Sequence, residues 1–299
     1  MSDSRLLAYE MIDANGLTFE VATCGTGERL ALCLHGFPET AFSWRHQMPM
    51  LAALGYRVWA PNLRGYGNSS RPPGIKNYAM QHLRADIAGL IDAARADEVI
   101  LIAHDWGGAI AWDFALRQLR PLSRLVILNM PHPVIFARAV RRWPQLRRSW
   151  YILFFQLPWL PEWLLSRNNA RWIARAFRDM AQDKSRFSEE VLAEFRDNAA
   201  QPGALTAMLN YYRAALRYAE LPDPMPHLDT PTLMIWGEED RALGKELTLG
   251  TEALVTEFTL RYLPRVSHWV QQEAPDQVNA ILAAWLCGEA PPIYETADL

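Results

Sequence analysis

Cysteine is scarce in this chain of 299 residues: three in all, Cys24, Cys33 and Cys287. They cannot build a paired framework and show no Cys-x-x-Cys spacing, which points to a reducing cytoplasm. Charge of one sign is equally lacking. Thirty Lys and Arg face 33 Asp and Glu, a formal net charge of −3. That excludes a nucleic-acid binder relying on a basic surface. No apolar run reaches the ~18 residues of a membrane span. The nearest, Tyr151 to Leu165, is broken by Gln156, Pro158, Pro161 and Glu162. Met1 to Arg5 holds no basic stretch followed by an apolar one, so no signal peptide is expected. His46, His82, His132 and His227 lack metal-ligand spacing. Gly65-Tyr66-Gly67 has neither a P-loop lysine nor a complete Gly-x-Gly-x-x-Gly. Neither a metal nor any other cofactor is expected.

What is there is apolar: half the residues, enough for a packed core rather than a disordered chain. Near-continuous apolar runs of strand length recur at Leu30–Leu34, Tyr56–Ala60, Glu98–Ala103, Arg124–Asn129, Thr232–Trp236 and Phe258–Leu263. Strands covered on both faces read this way. Helical spacing fills segments between them, such as Ala79–Ala94 and Ala109–Leu119. The alternation predicts an α/β fold around a mostly parallel sheet. Asn15-Gly16 suits a two-residue hairpin turn, so an antiparallel hairpin should open it. Between Pro131 and Pro226 the rhythm stops. This stretch is helix-like, rich in Arg and Trp, and closes on the proline-dense Leu221 to Pro226. The expected organisation is a core of residues 1–132 and 226–299 with a helical cap, 133–225, inserted.

The strand ending at Ala103 runs into His104-Asp105-Trp106-Gly107-Gly108 and then a helix. Such a turn holds a nucleophile clear of the sheet at the positive end of a helix. Its usual form is Gly-x-Ser-x-Gly; here Ala103 replaces the first glycine and Asp105 the serine. A carboxylate nucleophile attacks carbon and forms an alkyl ester. Asp105 as a mere helix cap is the alternative, and the pentapeptide alone leaves both open. Two further features tilt the choice. Trp236-Gly237-Glu238-Glu239-Asp240 follows a later strand, and Ser267-His268-Trp269 follows the last. Nucleophile, acid, histidine, each after a strand, is the α/β-hydrolase order.

With His35-Gly36-Phe37-Pro38-Glu39 and Arg64-Gly65-Tyr66-Gly67 added, the chain resembles the epoxide hydrolases of the α/β-hydrolase fold along nearly its whole length. Ser267, where family members often have glycine, is a mild departure. The resemblance implies a triad of Asp105, Asp240 and His268, with Glu238 and Glu239 left supporting or solvated. It implies backbone oxyanion donors at Phe37 and Trp106, and two cap tyrosines that grip the epoxide oxygen. Tyr151, in Tyr151 to Gln156, and Tyr212, in Leu209 to Arg213, match those positions, with Tyr211 in the preceding aromatic slot. Ring opening develops an alkoxide, and a phenol of pKa near ~10 can donate to it; both rings as simple cap packing is the alternative.

Haloalkane dehalogenases share the core motifs and stand second. They often place Asn after His-Gly, where this chain has Phe37, and haloacetate dehalogenases place Arg where this chain has Trp106. A ligand receptor on the same scaffold would carry a broken triad. His35 and His104 are expected to brace loops, and Arg138, Arg141, Arg142, Arg147 and Arg148 to form a solvated cap face. Phe37, Trp106 and Trp269 should line the substrate pocket. Trp143, Trp150, Trp159, Trp163 and Trp172 suggest, with them, an apolar cavity for a lipophilic epoxide, some of them serving as core. The partners expected are that epoxide and water, with no nucleic acid and no membrane span; monomer and homodimer both stay open.

Overall fold

The structure is a computed structural model and describes residues 7–222 and 224–295. Its strands are β1 (Ala8–Ala14), β2 (Leu17–Cys24), β3 (Arg29–Leu34), β4 (Tyr56–Pro61), β5 (Val99–His104), β6 (Arg124–Leu128), β7 (Thr232–Gly237) and β8 (Phe258–Leu263). They form one eight-stranded sheet in the order β1-β2-β4-β3-β5-β6-β7-β8. β1 and β2 pair antiparallel around Asn15-Gly16, and β2 pairs antiparallel with β4; every later pairing is parallel. Asn15 and Gly16 both have positive φ, 49° and 71°, the left-handed pair that a tight hairpin turn needs.

Strand side chains alternate between two apolar layers, because successive residues point to opposite faces. Leu101 and Ala103 of β5 join a cluster with α2 (Met80–Ala94) and α3 (Trp106–Leu116). Ile100 and Ile102 join another, with α1 (Gln47–Ala53) and α11 (Pro275–Leu286). All six residues of β5 are buried, which is why its sequence shows no polar alternation. Each large side chain so placed contributes roughly 1.5–3 kcal/mol by leaving water.

Between β6 and β7 the described residues hold six α-helices, one short 3-10 helix (Lys184–Arg186) and no strand: α4 (Pro133–Ala139), α5 (Trp143–Arg148), α6 (Trp150–Phe154), α7 (Leu160–Met180), α8 (Glu189–Ala200) and α9 (Ala204–Arg217). α8 starts at Ser188, whose hydroxyl accepts the Val191 N–H, with Glu189 and Glu190 in the first turn. α7 is interrupted at Arg167–Ala170, where the backbone leaves helical values. A short helix, α10 (Val270–Glu273), follows β8.

The order β5-β6-β7-β8 has one consequence for chemistry. The loops leaving the carboxyl ends of these neighbouring strands carry Asp105, Asn129, Asp240 and His268 side by side, the edge where open α/β sheets bind ligands.

Candidate active site

Asp105 sits between β5 and α3 with φ 47° and ψ −120°, a conformation that ordinary residues avoid and that costs of order 1–3 kcal/mol. Close backbone approach makes the turn possible. A Cβ on Gly107 would lie 2.4 Å from the Leu34 carbonyl oxygen, and one on Gly36 would lie 2.4 Å from the Asp105 Cβ. Only glycine lets the Gly36–Phe37 segment lie against Asp105, and there the Phe37 N–H donates to Asp105 Oδ1 at 2.8 Å. Trp106 is the first residue of α3, so its N–H is one of the four that a helix start leaves without an intrahelical partner.

His268 Nε2 lies 3.5 Å from Asp105 Oδ2, and its Nδ1 lies 2.6 Å from Asp240 Oδ2. Asp240 is held in turn by the Asn129 side-chain amide at 2.7 Å and by the Ala242 and Leu243 N–H groups at 2.8 and 2.9 Å. Of the acidic cluster, only Asp240 is buried; Glu239 is exposed and Glu238 pairs with Lys245. Two aspartates, Asp105 and Asp240, with His268 between them are thus strung on three strand ends of one sheet that also carries a helical segment inserted between β6 and β7. The chain matches the model of the alpha/beta hydrolase family over residues 31–281.

The chain belongs to the alpha/beta hydrolase family.

It is 38% identical to the AB hydrolase superfamily protein YfhM of Bacillus subtilis over 93% of this chain and 97% of that one. It is also 38% identical to epoxide hydrolase 4 of Mus musculus, over 93% of this chain and 79% of the relative. Among solved structures it resembles that of Bacillus megaterium epoxide hydrolase in complex with an inhibitor. The TM-score is 0.86 and the identity 29%, over 93% of this chain and all of that one. The resemblance to epoxide hydrolases read from the motifs therefore holds, and this α/β hydrolase is an enzyme of that kindred.

Electrostatics in the α/β hydrolase couple the three groups. Burial alone would lower the His268 pKa, but the Asp240 charge, then the hydrogen bond to Asp105, raise it to about 10. Burial would likewise raise both carboxyls, yet His268 holds Asp105 and Asp240 below their usual value. At neutral pH the resting site is an imidazolium between two carboxylates. The folded protein therefore keeps a proton that unfolded histidine releases near pH 6.5. The resulting stabilisation is complete below that pH and is lost as pH rises through about 10. Urea unfolding midpoints should fall across this interval, and more steeply in the wild type than in His268→Gln. Equal slopes would mean that His268 holds no extra proton in the folded state.

Two cavities, of about 490 and 460 Å³, share Asp105, Tyr151 and Tyr212 as walls. Tyr151 comes from α6 and Tyr212 from α9, with ring centroids 5.9 Å apart. Burial, with the Asp105 charge adding to it, raises both phenols above their ordinary value, so both keep their protons at neutral pH. Tyr211 also borders the larger cavity, but its hydroxyl is engaged, donating to the Arg64 carbonyl at 2.8 Å. Phe37 packs edge-on against Tyr212 at 5.2 Å, and Trp106 at 5.0 Å. Phe37, His268 and Trp269 line the smaller cavity and Trp106 the larger. Trp269 is 2% exposed and lies mainly against Phe177, 4.3 Å between centroids.

The expectation for the tryptophans needs correction. Trp150 and Trp172 line the smaller cavity, but Trp143, Trp159 and Trp163 are exposed and line neither. These three rings stand on the solvent side of α5 and of the start of α7, beside exposed arginines, and composition does not say which way a ring faces.

Several supporting residues escaped the sequence reading. Glu39 is fully buried; its Oε2 lies 2.6 Å from His104 Nδ1 and accepts the Gly36 N–H, while Gln271 and Gln272 donate to Oε1. His104 Nε2 donates to the His268 carbonyl at 2.9 Å, so one buried network ties the Gly36 turn to the histidine loop. His35 braces as expected, Nε2 accepting the Leu63 N–H. Ser267 uses the hydroxyl that glycine lacks to bond buried Glu273, which also accepts the Gln182 and Asp183 N–H groups. Arg213 pairs with Glu162 at 2.6 Å and donates to the Phe155 and Leu157 carbonyls. It fixes the end of α6 against α9, and with it Tyr151 against Tyr212. Beyond the motifs that contain Glu39, His104, Arg213 and Ser267, long-range partners gave these residues no local signature.

Proposed function

We propose that this hydrolase opens a lipophilic epoxide to its 1,2-diol through a hydroxyalkyl ester on Asp105. Residues 133–225 act as the cap over a core of 1–132 and 226–299. One observation carries the reading: phenols from two different cap helices border the same cavities as the nucleophile, Asp105.

An Asp105 carboxylate oxygen attacks an epoxide carbon, the ring C–O bond breaks, and the oxygen takes a proton from Tyr151 or Tyr212. Alkylation removes the Asp105 charge, which adds to burial in raising the phenols and, after Asp240, helps to keep the proton on His268. His268 releases its proton, which restores the phenol through solvent. Neutral His268 then deprotonates water, which attacks the ester carbonyl carbon. Phe37 and Trp106 N–H groups stabilise the oxyanion, worth roughly a hundred- to a thousand-fold in rate per donor. The diol leaves, with Asp105 again ionised and His268 again protonated, ending in the resting charge state.

Tyr212→Phe keeps the ring and removes one donor. Its turnover of a simple aryl epoxide should fall roughly 10²–10⁴-fold, less where Tyr151 compensates. Tyr211→Phe should turn over normally but lose about 1–3 kcal/mol of stability, by leaving the buried Arg64 carbonyl without its partner. Wild-type epoxide turnover by Tyr212→Phe would refute its role. Bromide release from a bromoalkane outpacing epoxide opening in the wild type would favour a dehalogenase.

A further inference from the structure

The cap displays its tryptophans to solvent. Trp143, Trp150, Trp159, Trp163 and Trp172 are 74, 63, 73, 52 and 49% exposed, whereas the other seven tryptophans are buried or half-buried. Leu146, Leu153 and Leu157 are exposed among them. Eight large apolar side chains exposed within thirty residues of one segment are more than the scattered singles of an ordinary surface and point to an interaction site. Charge says with what. Residues 133–180 carry nine arginines against Glu162 and Asp179, in a chain whose net charge is −3. Arg138, Arg141, Arg142 and Arg147 are exposed, and among the described residues none has an ion-pair partner. Arg167 and Arg175 lie over the rings of Trp163 and Trp172, 4.7 and 5.1 Å from their centroids.

This combination fits one occupant. Trp belongs at the level of lipid headgroups, where its ring meets the acyl boundary and its N–H meets water. Arginine is attracted to anionic headgroups beside it. A second copy of this chain would instead set these exposed arginines against one another. The patch also lies where substrate must pass. α6 stands between the two cavities: Leu153 lines the larger, Trp150 and Phe154 the smaller, and Tyr151 both. Trp150 and Leu153 are themselves exposed, so both cavities reach the surface beside the patch.

We propose that the cap surface built from α5, α6 and the start of α7 docks the enzyme onto an anionic phospholipid bilayer, with both cavity mouths facing the lipid. No helix among the described residues is long and apolar enough to cross a membrane, so the attachment is peripheral. A lipophilic epoxide dissolved in the bilayer enters without crossing water. Docking rests on the surface alone; this delivery rests in addition on the proposed reaction.

The test is flotation of the full chain with vesicles of phosphatidylcholine, with and without phosphatidylglycerol. The protein should float with the mixed vesicles and stay behind with the neutral ones, and added salt should release it. R141Q/R142Q/R147Q should bind the mixed vesicles roughly a hundred-fold more weakly. W143S/W159S should also bind more weakly. None of these residues borders either cavity, so both variants should keep wild-type turnover of a short water-soluble epoxide and wild-type melting. Equal flotation with neutral vesicles, or unchanged binding by the arginine variant, would overturn the proposal. So would a dimer in sedimentation that W143S/W159S dissociates. A protein that floats as expected but opens no epoxide would leave docking standing and remove only the delivery.

Discussion

Exchanging His268 for glutamine should stop the enzyme after its first chemical step. Glutamine cannot take a proton from water, whereas in the proposed mechanism alkylation of Asp105 needs only the carboxylate and the two phenols. The variant should therefore gain the mass of one substrate molecule when mixed with epoxide, and hold it. Steady-state turnover should fall roughly 10²–10⁴-fold, the usual worth of a placed general base. His268 also depresses the Asp105 pKa, so the experiment belongs above neutral pH, where Asp105 is ionised without that help. A folded variant that binds epoxide yet gains no mass would mean that His268 controls alkylation too.

Asp105→Asn should lose more. The amide keeps the shape and can still accept the Phe37 N–H, now 2.8 Å from Oδ1, so the fold should persist. It has no negative oxygen with which to open a ring. Removing a nucleophile while its partners remain costs roughly 10⁴-fold or more, and neither turnover nor a covalent adduct should be seen. The same exchange removes one of the two charges that hold the proton on His268, so its imidazole should titrate below the wild-type value of about 10. Residual activity within tenfold of wild type, with no reversion to aspartate by mass, would move the nucleophile elsewhere.

What the sequence made legible follows physical range. Strands buried on both faces, such as Val99–His104, announce themselves as apolar runs, and all six major strands lie within a residue of the expected spans. The hairpin turn is written in Asn15-Gly16. Asp105, Asp240 and His268 could be placed because each follows such a strand. Their juxtaposition came from strand order, which no local pattern encodes, and Asn129 becomes visible as the clamp on Asp240 only once β6 lies between β5 and β7. Glu39 contacts residues 65 and more than 230 positions away, so its buried role had no local trace. Tyr211 and Tyr212 are adjacent and alike in sequence. A hydrogen bond across 147 residues engages the Tyr211 hydroxyl and sets it apart from Tyr212. The tryptophans misled because composition counts apolar area without saying which way it faces.

The path of the oxygen atoms tests the covalent ester most directly. With enzyme in excess over epoxide, in heavy-oxygen water, each active site turns over once. If Asp105 attacks, the first diol receives an oxygen from its carboxylate and should be almost unlabelled. The heavy oxygen should appear in the peptide containing Asp105, and in the diol only on later turnovers. A first diol that carries the label, with Asp105 left light, would show direct attack by water activated by His268, and would contradict the ester.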